Sequence, residues 1–328
     1  MEQRKFGNTG LAVSRLTFGC GAVGGLMTKG DAADQDRAIG WARDNGINFF
    51  DTAASYGNGV SEENLGRALN GNSDGLVIST KVGLSNDDLS DVYGAITRSL
   101  DASLARLRLD HVDIFQLHNT LGRTDFRGTL TIDQIMDAVV PAFDKLRDTG
   151  KVRFLGFTAK GEADDVHKLV SCGVFHSAQV FYNLLVPSAG EPIAATYPSD
   201  DYKLLLETAK DHGVGAIGVR VLAGGALSGS TARHPLGMRD VTPIGSETNY
   251  ATDVKRGLAF MPLVEAGHAG SLIELAIRYV ISNPALPTTE IGIATLDELQ
   301  QATAAVNNGP LSADALAVIR QVQAGFVI

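Results

Sequence analysis

The sequence has very little cysteine and no long hydrophobic stretch. Only Cys20 and Cys172 occur among 328 residues, too few for a disulfide framework and without the CxxC spacing of metal or redox sites. We expect both to be buried thiols of a cytoplasmic protein. The segment MEQRKFGNTG lacks the apolar region of a signal peptide, and no apolar run approaches a membrane span in length. We therefore expect a soluble, unexported protein.

The sequence also lacks clusters of basic residues and metal-binding spacings. It has 28 Lys and Arg against 37 Asp and Glu, a formal net charge of -9, and no basic run. Nucleic acids and anionic membranes require clustered Lys and Arg, so neither is an expected partner. The seven histidines form no HxH or HExxH pattern, so we expect no metal site. A small molecule is the expected partner, and the sequence leaves the oligomeric state open.

Short β-branched or aromatic runs alternate with amphipathic helical patterns along the whole chain. The predicted strands are LTFG, INFFD, GLVISTK, VDIFQLH, VRFLGFT, SAQVF, VGAIGVR and TEIGIA. The predicted helices lie near residues 32–45, 61–70, 90–107, 132–149, 162–172, 201–213, 271–282 and 296–307. Eight such units without a second composition regime predict a (β/α)8 TIM barrel, with an open doubly wound sheet as the alternative.

The barrel is expected to form one domain over residues 1–328, preceded by a small N-terminal β-hairpin and carrying long loops at its C-terminal face. The longest irregular stretch, residues 223–260, has no sustained period and is predicted to be a loop after the seventh strand. A loop of this length is either a functional lid or a surface insertion.

The stretch FGCGAVGG matches the dinucleotide-binding pattern GxGxxG at Gly19, Gly21 and Gly24. In a Rossmann unit these glycines open a helix directly, and an acidic residue ends the next strand about 20 residues later. Here the helical pattern starts only near Ala32, and the acid, Asp51, lies beyond that spacing. We therefore interpret the stretch as the first βα loop of a barrel, small enough for ligands to approach the backbone.

Three consecutive predicted strands end in ionisable residues: Asp51, Lys81 and His118, with Tyr56 in the loop after the first of them. Strand ends in a βα barrel meet at one mouth, about 4.8 Å apart between neighbours. Each residue alone has a structural explanation. Together they can move a proton, because a lysine lowers the pKa of a tyrosine, a carboxylate keeps that lysine charged and an imidazole orients a carbonyl.

At these residues the sequence resembles the aldo-keto reductase superfamily, in segments such as FFDTAASYGNGVSEENLGRAL, GKVRFLGFT, QVFYNLL, LAGGALSG and GIATLDELQQA. The resemblance implies a barrel that binds a nicotinamide cofactor without a Rossmann fold. It also implies a catalytic tetrad of Asp51, Tyr56, Lys81 and His118. In that tetrad Tyr56 is the general acid or base, Lys81 modifies its pKa, Asp51 pairs with Lys81, and His118 positions the substrate carbonyl.

The resemblance further implies positions that contact the cofactor. They are Asp51, Thr158, Gln179, Arg220, Leu222, Gly224, Gly292, Thr295, Glu298 and Gln301. The chain departs from the family at Ala159, Val219 and Ala302. Thr295 and Glu298 match a capping box, which predicts a helix start facing the adenosine. The acidic Glu298, where relatives that prefer NADP place a basic residue, favours NAD over NADP without deciding between them.

The function implied is an NAD(P)-dependent oxidoreductase acting on an aldehyde, a ketone or an aldose-like sugar. A cofactor-binding regulatory barrel with little turnover and a Schiff-base aldolase using Lys81 are the alternatives. Four loops, at residues 20–28, 119–131, 183–200 and 223–260, are expected to shape the substrate pocket. Their conformations do not follow from the sequence, so the substrate and the direction of reaction stay open.

Overall fold

Eight parallel strands form a closed barrel in the computed structural model, which describes residues 1–122, 128–244, 246 and 248–326. The barrel strands are Leu16–Gly19 (β1), Phe49–Asp51 (β2), Val77–Val82 (β3), Val112–Leu117 (β4), Val152–Ala159 (β5), Ser177–Phe181 (β6), Gly215–Val219 (β7) and Thr288–Gly292 (β8). Each strand pairs in parallel with its neighbours in the chain, and β8 closes onto β1. The predicted barrel is therefore confirmed, and the open sheet is excluded.

Helices cover the outside of the barrel at all eight predicted places. They are Ala32–Asp44 (α1), Val60–Leu69 (α2), Val92–Leu107 (α3), Val140–Arg147 (α4), Ala163–Ser171 (α5), Leu205–Asp211 (α6), Leu272–Ile281 (α7) and Leu296–Asn307 (α8). A short helix at Ile132–Gln134 and a π-helical turn at Ile135–Val139 precede α4. The single helix predicted over 132–149 is therefore interrupted by a π turn.

The prediction of one irregular loop over residues 223–260 is wrong for part of that stretch. A 3-10 helix spans Ala223–Ser228, and an α-helix spans Tyr250–Leu258. The Asn249 side chain caps the latter by accepting a hydrogen bond from the amide of Thr252 at 2.9 Å. Residues 245 and 247 of this stretch lie outside the described residues, as do residues 123–127 of the loop at 119–131.

Among the described residues, three further α-helices have no counterpart among the predictions: Leu26–Lys29, Met261–Glu265 and Ala313–Ala324. The first two have only four and five residues, so they are too short to show a helical period. The first of them begins before Ala32, near which the sequence analysis places the start of the helical pattern, and Gly25 is its N-cap.

The predicted N-terminal hairpin is present and closes the bottom of the barrel. Its strands, Gln3–Lys5 and Ala12–Ser14, pair antiparallel. Phe6, at the end of the first, packs edge-on against Phe49 of β2, with ring centroids 5.8 Å apart. The apolar plug inside this end of the barrel consists of Phe6, Leu11, Val13, Phe49, Val77, Ile114 and Ile217.

Inside the barrel, the side chains change from apolar to polar between one inward-facing residue and the next along several strands. Since alternate strand residues face the same side, Phe49 is followed inside the barrel by Asp51, Val77 by Ser79, and Ile114 by Gln116. All three polar residues are fully buried. The apolar plug therefore supports a layer of buried polar side chains at the carboxyl ends of the strands.

The two cysteines differ in burial. Cys20 is buried, whereas Cys172 is only partly buried, which corrects the prediction that both are buried. Both are free thiols. In the part of the chain that the structure describes, no helix is both long and apolar enough to cross a membrane.

Candidate active site

Lys81 lies at the centre of a hydrogen-bonded group at the carboxyl ends of β2 and β3. Its Nζ donates to Oδ2 of Asp51, to the carbonyl oxygen of Thr52 at 2.8 Å and to the hydroxyl of Tyr56 at 3.1 Å. The side chains of Lys81 and Asp51 are both 0% exposed. The structure thus joins three of the four tetrad residues directly.

Asp51 is held by partners from three other strands. Its Oδ1 accepts hydrogen bonds from the hydroxyl of Ser79 and from Nε2 of Gln116 at 3.0 Å. Its Oδ2 accepts a second bond, at 3.2 Å, from Nε2 of Gln179. Buried carboxylates need such partners, because an unpaired buried charge is costly. The orientation of Lys81 is therefore fixed by the barrel.

His118 follows β4 directly and packs edge-on against Tyr56, with ring centroids 5.8 Å apart. Its Nδ1 lies 3.5 Å from the hydroxyl of Ser55. Burial, followed by the positive charges of Lys81 and Lys160, lowers the pKa of His118 to about 3. The ring is therefore neutral at physiological pH, with one nitrogen that donates a hydrogen bond and one that accepts.

The surroundings of Tyr56 favour its protonated phenol form at neutral pH. Burial raises its pKa to about 12, and the positive charge of Lys81 only partly offsets this effect. The expectation that Lys81 produces a net lowering of the pKa of Tyr56 is therefore wrong here, because desolvation is the larger effect. Burial disfavours the Lys81 ammonium as well, but Asp51 and Tyr56 outweigh it and raise the pKa of Lys81.

The charged state of Lys81 bears on the aldolase alternative. A Schiff base requires a neutral amine that can reach a substrate carbonyl. Lys81 is fully buried, is paired with Asp51 and has a raised pKa, so it does not supply such an amine. Within the described part of the chain, no group of three or more His, Cys, Asp or Glu side chains is placed to hold a metal ion.

A cavity of about 630 Å³ opens above this group, with Tyr56 and His118 in its wall. Eight of the predicted cofactor contacts line the same cavity: Thr158, Gln179, Arg220, Leu222, Gly224, Gly292, Glu298 and Gln301. Asp51 and Lys81 lie buried beneath it. Thr295 does not line the cavity, and its side chain caps the N-terminus of α8.

The cavity wall offers amide partners close to Tyr56. The hydroxyl of Thr158 donates to Oε1 of Gln179 at 3.1 Å, and both side chains face the cavity. Val219, where the sequence departs from the family that it resembles, also lines the cavity. The oxygen atoms of both side chains can each accept a further hydrogen bond from the NH2 group of a carboxamide ligand.

Two guanidinium groups lie further along the wall. Arg220 adopts a left-handed backbone conformation, with a φ of 58°, directly after β7. Arg233, which sequence reasoning missed, donates to the carbonyl of Gly224 at 2.6 Å and to the hydroxyl of Tyr250 at 3.1 Å. Neither arginine forms an ion pair with a described residue. Unpaired cations in a cavity suit a phosphate-bearing ligand.

The far end of the cavity, at the start of α8, carries an acid and no base. Thr295 accepts a hydrogen bond from the amide of Glu298 at 3.2 Å, as a helix cap. Glu298 accepts in turn from the amide of Ala294, at 2.8 Å, rather than from that of Thr295 as a capping box requires. The described cavity residues from 290 to 302 include no Lys, Arg or His. Together, the amide partners, arginines and acid fit a dinucleotide.

Glu290 is a second buried acid that the sequence analysis did not select. It lies in β8 and accepts a hydrogen bond from Nε2 of Gln179 at 2.9 Å. Burial, and then the negative charge of Asp51, raises the pKa of Glu290 to about 8. The signal was available, because TEIGIA places a glutamate inside a strand that is otherwise mostly apolar.

The glycines of the first loop allow close packing between segments of the protein. A Cβ atom at Gly24 would lie 2.2 Å from the amide nitrogen of Ile293, in the loop after β8. One at Gly25, where φ is +91°, would lie 1.9 Å from the carbonyl oxygen of Leu236. At Gly21 the nearest atoms belong to the ring of Tyr56, at 3.5 Å. Gly24 and Gly25 therefore make room for backbone, and Gly21 faces the site.

Comparison with known proteins agrees with this site. The Aldo/keto reductase family model matches residues 15–324, so the chain belongs to this family of oxidoreductases, which use nicotinamide cofactors. It is 31% identical to L-galactose dehydrogenase of Arabidopsis thaliana, over 93% of this chain and 88% of that protein. It is 28% identical to L-glyceraldehyde 3-phosphate reductase of Escherichia coli K12, over 98% and 92% of the two chains.

The fold is also found among solved structures. An aldo-keto reductase from Bacillus halodurans, in its holo form, superposes with a TM-score of 0.73 over 99% of this chain and 98% of that one, at 24% identity. The family model confirms the predicted family, and the shared fold extends over nearly the whole chain.

Proposed function

We propose that the protein is an NAD(P)-dependent oxidoreductase in which Tyr56 exchanges a proton with the oxygen of an aldehyde, ketone or aldose-like substrate. The observation that carries this proposal is the hydrogen bond of 3.1 Å from Lys81 to Tyr56, above a buried Asp51 and below the cavity. In this proposal the whole chain, residues 1–328, forms a single domain that carries this site.

The tetrad residues have separate roles in carbonyl reduction. The nicotinamide, when bound, supplies the hydride that adds to the carbonyl carbon. Tyr56 donates its proton to the carbonyl oxygen as the alkoxide forms, and Lys81 stabilises the phenolate left behind. His118, being neutral, donates a hydrogen bond that holds the oxygen near Tyr56. In the oxidation of a hydroxyl group, the same proton moves to Tyr56.

We propose the following roles for the remaining predicted residues, most of which lie in the cavity wall. Thr158 and Gln179 hold the carboxamide of the cofactor, and the segment with Arg220, Leu222 and Gly224, helped by Arg233, holds its pyrophosphate. Gly292, Thr295, Glu298 and Gln301 lie on the adenosine side. Since Glu298 accepts hydrogen bonds from a hydroxyl and repels a phosphate, we propose a preference for NAD.

A polar substrate is favoured by the surroundings of the site. A second cavity of about 880 Å³ adjoins the first and shares Thr120, Lys160 and Arg220 with it. Its wall also includes acidic and basic side chains from residues 160–164 and 200–203. The names of two relatives, a galactose dehydrogenase and a glyceraldehyde phosphate reductase, fit the same class of hydroxylated carbonyl compounds.

The proposal is tested with aldehydes, ketones and aldoses as substrates and either cofactor, following absorbance at 340 nm. We expect turnover with at least one compound, faster with the NAD pair than with the NADP pair. Tyr56→Phe should lower kcat by a factor of about 10³ while cofactor fluorescence titrations stay unchanged. Tight cofactor binding without turnover of any compound would favour the regulatory alternative and contradict the proposal.

A further inference from the structure

Glu290 shares an amide group with Asp51 beneath the cavity. Nε2 of Gln179 donates to Oε2 of Glu290 at 2.9 Å and to Oδ2 of Asp51 at 3.2 Å, so two carboxyl groups approach one donor. Gly19 makes room for this side chain, since a Cβ atom there would lie 3.0 Å from Oε1 of Glu290. Glu290 also lines the cavity, which Asp51 does not.

The carboxyl groups outnumber the cations in this cluster. Lys81 is paired with Asp51, and among the residues that the structure describes Glu290 has no ion-pair partner. The other titratable groups that face Glu290 are Tyr56 and Cys20, both of which become negative when they ionise. Lys81 faces Glu290 as well as Asp51, so its single positive charge is shared between two carboxyl groups. An ionised Glu290 therefore leaves an excess negative charge beside the cavity.

The two redox forms of a nicotinamide differ in charge at the ring alone. The oxidised ring carries a positive charge and the reduced ring is neutral, while the ribose, pyrophosphate and adenosine parts are identical. A carboxylate in the cavity wall beside Tyr56 therefore attracts one form and not the other. Glu298, at the adenosine end, meets the same groups in both forms.

We propose that Glu290 is a specificity-determining residue that makes this site bind the oxidised nicotinamide more tightly than the reduced one, through a carboxylate that forms no ion pair with a described residue. The inference rests on the proposed function, because it requires the nicotinamide ring in the cavity near Tyr56. The preference for the oxidised form favours occupation of the site by the cofactor that is required to oxidise a hydroxyl group.

Proton release accompanies this preference. With a pKa of about 8, Glu290 is largely protonated near neutral pH before the cofactor binds. A cation beside it favours the ionised form, so the proton leaves Glu290 for the solvent when the oxidised cofactor binds. The neutral reduced ring gives no such release. Preference for the oxidised form should therefore increase as the pH rises towards 8 and then level off.

Isothermal titration calorimetry of both redox forms tests the inference directly. Titrations of the full chain at pH 6.5 and pH 9, in two buffers that differ in ionisation enthalpy, give the Kd and the number of protons released. We expect the ratio of the two Kd values to shift by about tenfold towards the oxidised form between these pH values. At pH 6.5 the wild-type protein should release protons with the oxidised form only.

Two variants separate charge from shape. Glu290→Gln keeps the size and hydrogen-bonding capacity of the side chain, and should abolish both the pH-dependent ratio and the proton release. Glu298→Gln, the matched control, should change the two Kd values by the same factor and leave the ratio intact.

Equal proton release with the two redox forms in the wild-type protein overturns the inference, whether or not Glu290→Gln folds. So does an unchanged Kd ratio in that variant. If neither redox form binds the wild-type protein, the proposed function itself is wrong, and the inference is wrong with it.

Discussion

The ammonium of Lys81 donates a hydrogen bond of 3.1 Å to the hydroxyl of Tyr56 from a position that four strands of the barrel fix. Lys81 comes from β3, its partner Asp51 ends β2, and Gln116 and Gln179 hold Asp51 from β4 and β6. The loop that carries Tyr56 therefore meets a rigid cation. The position of the cation that contacts Tyr56 is set by the barrel itself.

Removal of Lys81 should destabilise the fold as well as the site. Lys81→Met leaves Asp51 charged and buried, and should lower the free energy of unfolding by about 3 kcal/mol, measured by urea denaturation. The double variant Lys81→Met, Asp51→Asn no longer carries this buried charge and should recover part of the lost free energy of unfolding. Lys168→Met removes an exposed ion pair with Asp165 and should leave the stability nearly unchanged. If Lys81→Met changed the free energy of unfolding as little as Lys168→Met does, Lys81 and Asp51 would not form a buried ion pair.

His118 should make stability depend on pH. Its pKa falls to about 3 in the folded protein, so the unfolded chain binds a proton below about pH 6.5 that the folded protein does not. Wild-type stability is therefore lost as the pH falls through this window. Between pH 7.5 and pH 5, His118→Gln should lose about 2 kcal/mol less than wild type. Parallel curves for the two proteins would show that His118 is not held neutral.

Glu290 should produce the opposite dependence. Its pKa is raised to about 8, so the folded protein binds its proton more tightly than the unfolded chain does. This stability is present at low pH and is lost as the pH rises towards 8. From pH 6 to pH 8 the wild-type protein should lose about 1 to 2 kcal/mol relative to Glu290→Gln. Thermal unfolding across this range checks the sign, and a wild-type protein that gains stability relative to the variant contradicts it.

The charge of residue 298 should control which cofactor binds. Glu298→Arg replaces an acid in the cavity wall by a base, and should tighten NADPH binding by about tenfold relative to NADH. Asp297→Arg makes the same change in charge at the neighbouring exposed residue, which does not line the cavity, and should have a much smaller effect. Fluorescence titration of both cofactors gives the ratios. Equal shifts in the two variants would place the adenosine elsewhere.

The barrel was predictable because each strand is a short β-branched or aromatic run followed by a helical period. The positions of Asp51, Lys81 and His118 followed from that pattern, since strand ends converge at one face of such a barrel. The helix at Tyr250–Leu258 was not predicted, because it lies in a stretch of mixed composition. Its cap at Asn249 was the available local signal.

Contacts between distant segments account for what the sequence could not show. The net direction of the Tyr56 pKa depends on how much water is excluded around the ring, which no spacing reveals. The raised pKa and the hydrogen bond of Glu290 depend on Asp51 and Gln179, which are far from it in the chain. Arg233 reaches the cavity from an irregular segment with no period to place it.

Transfer of label from the cofactor tests the account most directly. A reduced cofactor carrying deuterium at both hydrogen positions of nicotinamide C4 is mixed in a single turnover with a substrate that supports activity, and the product is analysed by mass spectrometry. The account predicts one deuterium on the former carbonyl carbon, formed about 10³ times more slowly by Tyr56→Phe with an unchanged cofactor Kd. A product without deuterium, or a Phe variant as fast as wild type, would contradict it.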